Sequence, residues 1–288
     1  MDTMKLVFLG TAAAEGIPAL WCNCDICREA RKRGGKDIRH RCCYLVDDDT
    51  MIDFGPDIFD QARRENIDLP GLKRIILTHP HADHISPSEL VYRRDPGFCT
   101  DVPDYKLDLI ASKLTMRETV RKLVSSNAAA LEVTRLFDDL RIDPVQVEAG
   151  VWARSGDVEL LPVPASHAHG LGAMIYVIRR GDRTLLIAND TGMLTDESWS
   201  ILDGLRLDAA VIECTMGFRN PDAFKTHQGF NTTVAFREKL LAMRCLEADT
   251  PVYVTHFSHN GFGLHEELQA RFSPHGITVA YDGLKVEI

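Results

Sequence analysis

The sequence has no long hydrophobic run, and its first residues do not predict a signal peptide. No stretch approaches the roughly 20 consecutive apolar residues that a membrane-spanning helix needs. The N-terminal MDTMKLVFLG carries an Asp at position 2 and only a short apolar run, unlike a signal peptide. We therefore expect a cytoplasmic protein without a membrane partner.

An excess of positive charge is also missing. The 33 Lys and Arg residues are outnumbered by 42 Asp and Glu residues, which gives a formal net charge of -9. Proteins that bind nucleic acid through its phosphates usually present a basic surface. The acidic balance therefore argues against nucleic acid as a partner. A homodimer is compatible with the sequence, although no motif indicates one.

Repeats, low-complexity tracts and Pro/Gly/Ser-rich linkers are absent, so we expect one domain over residues 1–288. Residues 57–66, 195–204 and 231–246 have helical patterns. Between such patterns lie ten short apolar runs typical of strands: KLVFLG, CYLVDD, TMIDFG, RIILT, VELLPVPA, AMIYVIRR, TLLIAND, DAAVIEC, PVYVTH and ITVAYDG. Strands mixed with helices predict an α/β layered fold.

Residues 85–150 are predicted to form a helical insertion, centred on 112–140. Thr115 and Glu118 have the spacing of a capping box. The apolar stripe of this segment is formed by Val120, Leu123, Val124 and Leu131. Two interpretations remain open, a packing excursion and a lid over the substrate. The arginines that could contact phosphate, or simply form a solvated helix face, are Arg93, Arg94, Arg117 and Arg121.

Metal-binding side chains follow four of the predicted strands. The run RIILT is followed by a dense cluster of His79, His81, Asp83 and His84. Three other runs are followed by His167, Asp190 and His256. Ligand sites of α/β sheets gather at the carboxyl ends of strands. Seven ligands are too many for one tetrahedral zinc ion, but suit two ions that share a carboxylate, with zinc and manganese as candidate metals.

A second candidate site lies near the N-terminus. The stretch WCNCDIC places Cys22, Cys24 and Cys27 in a CxCxxC arrangement within a polar loop. Three close thiolates suit a structural zinc ion, which needs a fourth ligand. The sequence offers four candidates for it: His40, Cys42, Cys43 and His259.

The motif THPHADH, with the later ligands in PASHAHG, ANDTG and VTHFSH, resembles the HxHxDH signature of the metallo-β-lactamase superfamily. The resemblance runs from FLGT to YDG and implies an αβ/βα sandwich. It assigns His79, His81 and His167 to one metal ion, Asp83, His84 and His256 to the other, and Asp190 to both. His169 is the alternative to His167 in this turn. Asp53 matches a recurrent acidic residue, which would orient a ligand histidine.

The opening LGTAAAEGIPALWCNC is similar to that of the PhnP-type phosphodiesterases. That resemblance implies His259 as the fourth zinc ligand. It also implies His227, in KTHQGFNTT, as the general acid, with Asp83 as a further residue of the catalytic site. PqqB-like proteins share the cysteine opening, but their HxHxDH motif is eroded, whereas it is intact here.

The resemblance implies hydrolysis of a small anionic phosphodiester. Two divalent ions, Asp83, Asp190 and a bridging hydroxide carry a net charge of about +1, which favours an anionic substrate. The substrate implied is phosphoribosyl 1,2-cyclic phosphate, in phosphonate metabolism. The alternatives are an RNase Z-like nuclease, a thioester or lactone hydrolase, and a PqqB-like carrier without catalysis.

Overall fold

The architecture was analysed in a computed structural model, which describes residues 3–94, 97–126 and 133–288. The chain alternates between strands and helices, as the sequence predicts. The strands of the described residues are β1 (Lys5–Gly10), β2 (Cys43–Val46), β3 (Thr50–Ile52), β4 (Arg74–Ile76), β5 (Leu107–Ser112), β6 (Ile142–Val147), β7 (Ala153–Ser155), β8 (Val158–Pro164), β9 (Met174–Arg180), β10 (Arg183–Ala188), β11 (Ala209–Glu213), β12 (Val252–Thr255), β13 (Ile277–Val279) and β14 (Lys285–Glu287).

The helices come from the segments between these strands. They are α1 (Asp25–Arg33), α2 (Ile58–Glu65), α3 (Pro87–Val91), α4 (Lys113–Ser126), α5 (Val133–Asp139), α6 (Asp196–Leu202), α7 (Phe230–Ala242) and α8 (His265–Phe272). None of the helices described is long and apolar enough to cross a membrane.

The strands form two mixed sheets of seven. The first has the order β14-β1-β2-β3-β4-β5-β6, and the second has the order β13-β12-β11-β10-β9-β8-β7. Strands β3 to β6 are parallel, and so are β10 to β13. The remaining neighbours are antiparallel. Each half thus combines an antiparallel part with a parallel part.

Alternation along the strands builds a four-layer sandwich. In β1, Leu6 and Phe8 belong to an apolar cluster shared by both sheets, whereas Val7 and Leu9 pack with residues of α2 to α5. In β10, Leu185 joins the shared cluster, and Leu186 packs with residues of α1 and α6 to α8. Because successive side chains of a strand point to opposite faces, both faces of each sheet are buried. This is the predicted αβ/βα arrangement.

The segment 85–150, where a helical insertion is predicted, is helical only in part. It contains α3, α4 and α5, but also β5 and β6, which extend the first sheet in parallel. Parallel neighbours need a crossover connection, and α4 with α5 provides it. These two helices are therefore part of the sheet's connectivity.

The start of α4 also differs from the prediction. The backbone N–H of Thr115 donates to the hydroxyl of Ser112 at 3.2 Å, so Ser112 caps the helix. Glu118 cannot complete a capping box with Thr115, because both lie inside the helix and Glu118 accepts a hydrogen bond from Arg121. Leu131 of the predicted stripe lies outside the described residues.

Candidate metal centre

The predicted dinuclear ligands meet at one edge of the sandwich. His79 to His84 follow β4, His167 follows β8, Asp190 follows β10 and His256 follows β12. Two of these residues, Asp190 and His256, have positive φ angles of 48° and 57°, which non-glycine residues seldom adopt. Such strain is typical of functional sites.

Three histidine nitrogens converge in the first half of the cluster. His81 Nδ1 lies 2.9 Å from His79 Nε2 and 3.3 Å from His167 Nε2. The other nitrogen of His167 faces the Thr226 carbonyl at 3.1 Å, and that of His79 faces the Thr78 hydroxyl at 3.1 Å. Those outer partners place the ring protons on Nδ1, so bare Nε2 atoms point inwards. Nitrogens around tetrahedral zinc are about 3.3 Å apart, which matches this spacing.

The second half contains Asp83, His84, Asp190 and His256. Asp190 Oδ2 lies 2.6 Å from His84 Nε2 and 2.9 Å from His256 Nε2. Asp83 Oδ2 lies 3.0 Å from the same nitrogen of His84. The other oxygen of Asp190 faces the first half, 3.9 Å from His167 Nε2. Asp190 is therefore placed to share its carboxylate between two ions.

The inner atoms of this half are buried without hydrogen bonds. His84 Nε2, Asp190 Oδ2 and His256 Nε2 have no hydrogen-bond partner, despite their short separations. Unsatisfied buried polar atoms are costly unless a ligand completes them. Converging lone pairs of nitrogen and carboxylate oxygen are the donors that zinc and manganese use. The residues present therefore fit two divalent ions.

Outer partners orient the ligands of the second half as well. Asp53, which is buried, lies 2.6 Å from His84 Nδ1 and accepts a hydrogen bond from Thr78. The hydroxyl of Thr215 lies 2.8 Å from His256 Nδ1. With a metal ion bound, both contacts would keep the proton on Nδ1 and leave Nε2 to face the ion. The role predicted for Asp53, orienting a ligand histidine, agrees with this contact.

Burial and charge set the protonation of the cluster. Burial holds the pKa of His79 well below its usual value and lowers the pKa of His81 and His167, so all three imidazoles are neutral. Burial raises the pKa of Asp190, but the charges of His256 and His84 outweigh it and hold that pKa well below its usual range. Burial lowers the pKa of His84, but the charges of Asp53, Asp83 and Asp190 outweigh it and raise that pKa well above its usual value, so a metal ion would have to replace the proton on Nε2. Neutral imidazoles and ionised carboxylates are the forms that bind metals.

His227 lies beside the cluster and contacts Glu213, a buried residue that the sequence did not predict as part of the site. Its Nδ1 lies 2.8 Å from Glu213 Oε1 and 3.6 Å from Asp190 Oδ1. Burial lowers the pKa of His227, but the charge of Glu213 outweighs it and raises the pKa to about 9. The contact with Glu213 therefore favours the protonated form of His227 next to the predicted metal ligands.

Glu213 could be mistaken for another ligand, because it forms a group with Asp190, His227 and His256 that could hold a metal. Its carboxylate is already saturated. Oε1 accepts the backbone N–H of Thr191, and Oε2 accepts the backbone N–H and hydroxyl of Thr215 and the backbone N–H of Gln228. When the contact with His227 is included, few lone pairs of the Glu213 carboxylate are left for a metal ion. Glu213 therefore positions His256, through Thr215, and His227, rather than binding metal.

The three cysteines of the CxCxxC loop meet His259. The ligand atoms of Cys22, Cys24, Cys27 and His259 lie within 4.8 Å of one another, and Cys24 Sγ is 3.5 Å from His259 Nδ1. Burial raises the pKa of Cys24, but hydrogen bonds from the Cys27 backbone and His259 outweigh it and lower the pKa to about 6. A thiolate at neutral pH suits zinc.

The other candidates for these sites lie elsewhere. His169 is exposed, in a short 3-10 turn outside the cluster. His40 contacts Asp282 at 2.8 Å, while the thiols of Cys42 and Cys43 are buried against Thr255 and the Asp53 carbonyl. The four arginines that could contact phosphate or form a solvated helix face contact protein groups: Arg93 contacts Leu140, Arg94 contacts Asp139, and Arg117 and Arg121 contact Glu118.

Comparisons with known proteins agree with this architecture. A diphosphatase of the PhnP family has a solved structure with a TM-score of 0.71 and 27% identity, covering 100% of this chain and 98% of that one. Coenzyme PQQ synthesis protein B of Methylorubrum extorquens is 26% identical, over 99% of this chain and 100% of that protein. An octanoyltransferase of Porphyromonas gingivalis is 34% identical over 86 residues, which cover 28% of this chain and 16% of that protein.

The family model of the beta-lactamase superfamily domain matches residues 50–257. This range includes all seven of the predicted ligands. Because the model spans well over half of the chain, the protein belongs to the beta-lactamase superfamily and has its metallo-β-lactamase fold.

Proposed function

We propose that the protein is a dinuclear metal-dependent hydrolase that cleaves a small phosphodiester, for which phosphoribosyl 1,2-cyclic phosphate is the model substrate. The observation that carries the proposal is the position of His227. The imidazole of His227, held by buried Glu213, stands beside the carboxylate that two metal ions would share. Hydrolysis with a poor leaving group needs a proton donor at that place.

The metal ligands would divide into two sets. His79, His81 and His167 would hold one ion, Asp83, His84 and His256 would hold the other, and Asp190 would contact both. When bound, two divalent ions lower the pKa of water between them and neutralise charge on phosphoryl oxygens. Zinc and manganese both suit this mixture of imidazole and carboxylate.

His227 would supply the proton for the leaving oxygen. Its Nδ1 is engaged by Glu213, and Nε2 has no hydrogen-bond partner among the described residues. Nε2 is thus available to face a substrate, and the proton it gives up compensates the charge of the departing alkoxide. Glu213 would keep the ring oriented and favour its protonated form. Asp83 would contribute to the same site by holding one of the metal ions.

The experiment is a substrate panel on metal-loaded protein. It contains ribose 1,2-cyclic phosphate bearing a 5-phosphate, bis(p-nitrophenyl) phosphate, a nucleoside diphosphate sugar, a thioester and a lactone. Turnover of the first two, abolished in Asp190→Ala, supports a phosphodiesterase. Turnover of only the thioester or lactone would overturn the proposal, and failure on every substrate with both metals bound would favour a carrier.

A diphosphatase is the second candidate, favoured by the 27% identical structural relative, of which 98% is matched. The same ligands would suit a diphosphate bond. The leaving group is then a phosphate, which needs a proton less than an alkoxide does. A diphosphatase should hydrolyse the nucleoside diphosphate sugar of the panel faster than the diesters. Loss of His227 should slow that reaction only a little.

A further inference from the structure

Helix α4 contacts both loops that carry the first group of histidines. At its start, the hydroxyl of Thr115 donates to the Leu171 carbonyl at 3.1 Å, in the loop after His167. Near its end, Lys122 Nζ donates to the carbonyl of Pro80 at 2.5 Å. Pro80 lies between His79 and His81 in the sequence. The helix therefore lies beside the candidate metal centre and brings a cation to it.

One face of α4 carries polar side chains in positions where an amphipathic helix would carry apolar ones. Thr115, Thr119 and Lys122 have the spacing of one helical face. Thr119 is fully buried, and its hydroxyl has no hydrogen-bond partner. Lys122 is half-buried, and the Pro80 carbonyl is the one hydrogen-bond acceptor of its ammonium group among the described residues. An ammonium group has three donors, so two remain for a ligand.

The charge of Lys122 acts on the open side of the centre. Around the HxHxDH motif, His81 is half-exposed and Ala82 is exposed, whereas His79 and His84 are buried. Burial lowers the pKa of Lys122, and the charge of Arg121 lowers it further, whereas the charge of Asp83 opposes both. Lys122 thus stands at the solvent-facing rim formed by residues 81–83, and it is not one of the predicted metal ligands.

We propose that Lys122 binds a second anionic group of the substrate, separate from the phosphoryl group that is cleaved. The cleaved group would be neutralised by the metal ions, whereas a cation at the rim is placed for a more distant phosphate or carboxylate. The inference rests on the proposed function and deepens it: the substrate carries two anionic groups. Phosphate monoesters with a second phosphoryl linkage, and diphosphates, belong to this class.

The test compares Lys122→Gln with Arg121→Gln. Both remove one positive charge from adjacent positions of α4, but the Arg121 side chain is exposed and pairs with Glu118. The substrates are ribose 1,2-cyclic phosphate with and without its 5-phosphate. Lys122→Gln should raise KM about tenfold for the substrate with the 5-phosphate and change its kcat little. The kinetic constants for the substrate without the 5-phosphate should also change little. Lys122→Arg should retain most of the affinity, and Arg121→Gln should resemble wild type.

A binding experiment separates this inference from the proposed function. Calorimetric titration of the metal-loaded protein with butane-1,4-diylbisphosphonate and with butylphosphonate needs no turnover, and metal content is measured after each titration. Wild type should prefer the ligand with two anionic groups, and Lys122→Gln should lose that preference even if no substrate of the panel is hydrolysed. Equal losses in Lys122→Gln and Arg121→Gln would show a general field effect and overturn the proposal. If Lys122→Gln lowered the melting temperature but kept the preference for the ligand with two anionic groups, Lys122 would only make a structural contact with Pro80. That result would also overturn the proposal.

Discussion

The imidazole of His227 lies 2.8 Å from the carboxylate of Glu213, which is completely buried at the end of β11. A second link runs from the same carboxylate through the Thr215 hydroxyl to His256. Glu213 thus connects the predicted general acid with a predicted metal ligand. Its own hydrogen bonds to three backbone N–H groups fix it in place.

Glu213→Gln should lower kcat on an alkoxide-releasing diester by about 10–100-fold, the usual cost of losing such an outer partner. The amide keeps the shape but loses the charge that keeps His227 protonated. The kinetics of the single variants and of the Glu213→Gln/His227→Ala double variant test this. If Glu213 acts through His227, the double variant is scarcely slower than His227→Ala. Multiplied losses would mean that Glu213 acts independently.

Asp190→Ala should remove metal and abolish turnover, because it deletes the carboxylate that faces both halves of the cluster. Elemental analysis of the purified protein measures the metal content. His167→Ala should also lose metal, while His169→Ala, at an exposed position in the same turn, serves as the matched control. Near wild-type metal content in Asp190→Ala would contradict the shared-ligand role.

Cys24→Ser should lose about one zinc ion per chain and lower the melting temperature, while the dinuclear centre still loads. His259→Ala should reproduce the loss. His40→Ala should retain the zinc, because His40 faces Asp282 and Asp60 rather than the cysteines. The opposite result for the two histidine variants would show that the fourth ligand has been misassigned.

Arg180 joins carboxylates of different segments at the far side of the sandwich, and its loss should destabilise the fold by about 2 kcal/mol. It lies 2.8 Å from Asp47, 2.9 Å from Asp49 and 2.7 Å from Asp157. Burial raises the pKa of Asp49, but hydrogen bonds from Arg180 and Thr50 outweigh it and lower that pKa.

The stabilisation from Asp49 is therefore present above the unfolded carboxyl pKa of about 3.9 and is lost as pH falls through the lower folded value. Melting curves of Arg180→Met and wild type should differ at pH 7 and converge below about pH 4. Arg206→Met is the control, because its pair with Glu247 is exposed. A difference that grew on acidification would contradict the assigned role.

Much of the fold could be predicted from the sequence because both sheets are buried on both faces. Such strands read as short apolar runs, and all ten predicted runs form strands. The strands that were missed are shorter or more polar. In β6 only Ile142 and Val147, at the two ends, are buried, and β7 has three residues. Strand β5, LDLIAS, is apolar enough to have been found, but it lay within a segment interpreted as helical.

The predicted ligands came together because each follows a strand at the same edge, which is a property of chain order. The partners that orient them are harder to predict. Glu213 had a signal, since it is a charged residue at the end of the apolar run DAAVIE. Lys122 had none, because a lysine on a helix usually faces solvent. Its contact with Pro80 depends on how α4 packs, and sequence periodicity alone does not determine that.

The most direct test of the account is the leaving-group dependence of His227→Ala. Metal content, measured on the same samples, should equal that of wild type, because His227 is not a predicted ligand. The variant should slow a cyclic ribose phosphodiester by about 10²–10⁴-fold, since the sugar alkoxide needs a proton. It should slow bis(p-nitrophenyl) phosphate far less, because p-nitrophenolate leaves without one. Equal losses on both substrates, or loss of metal from the variant, would contradict the assignment of His227 as the general acid of a dinuclear phosphodiesterase.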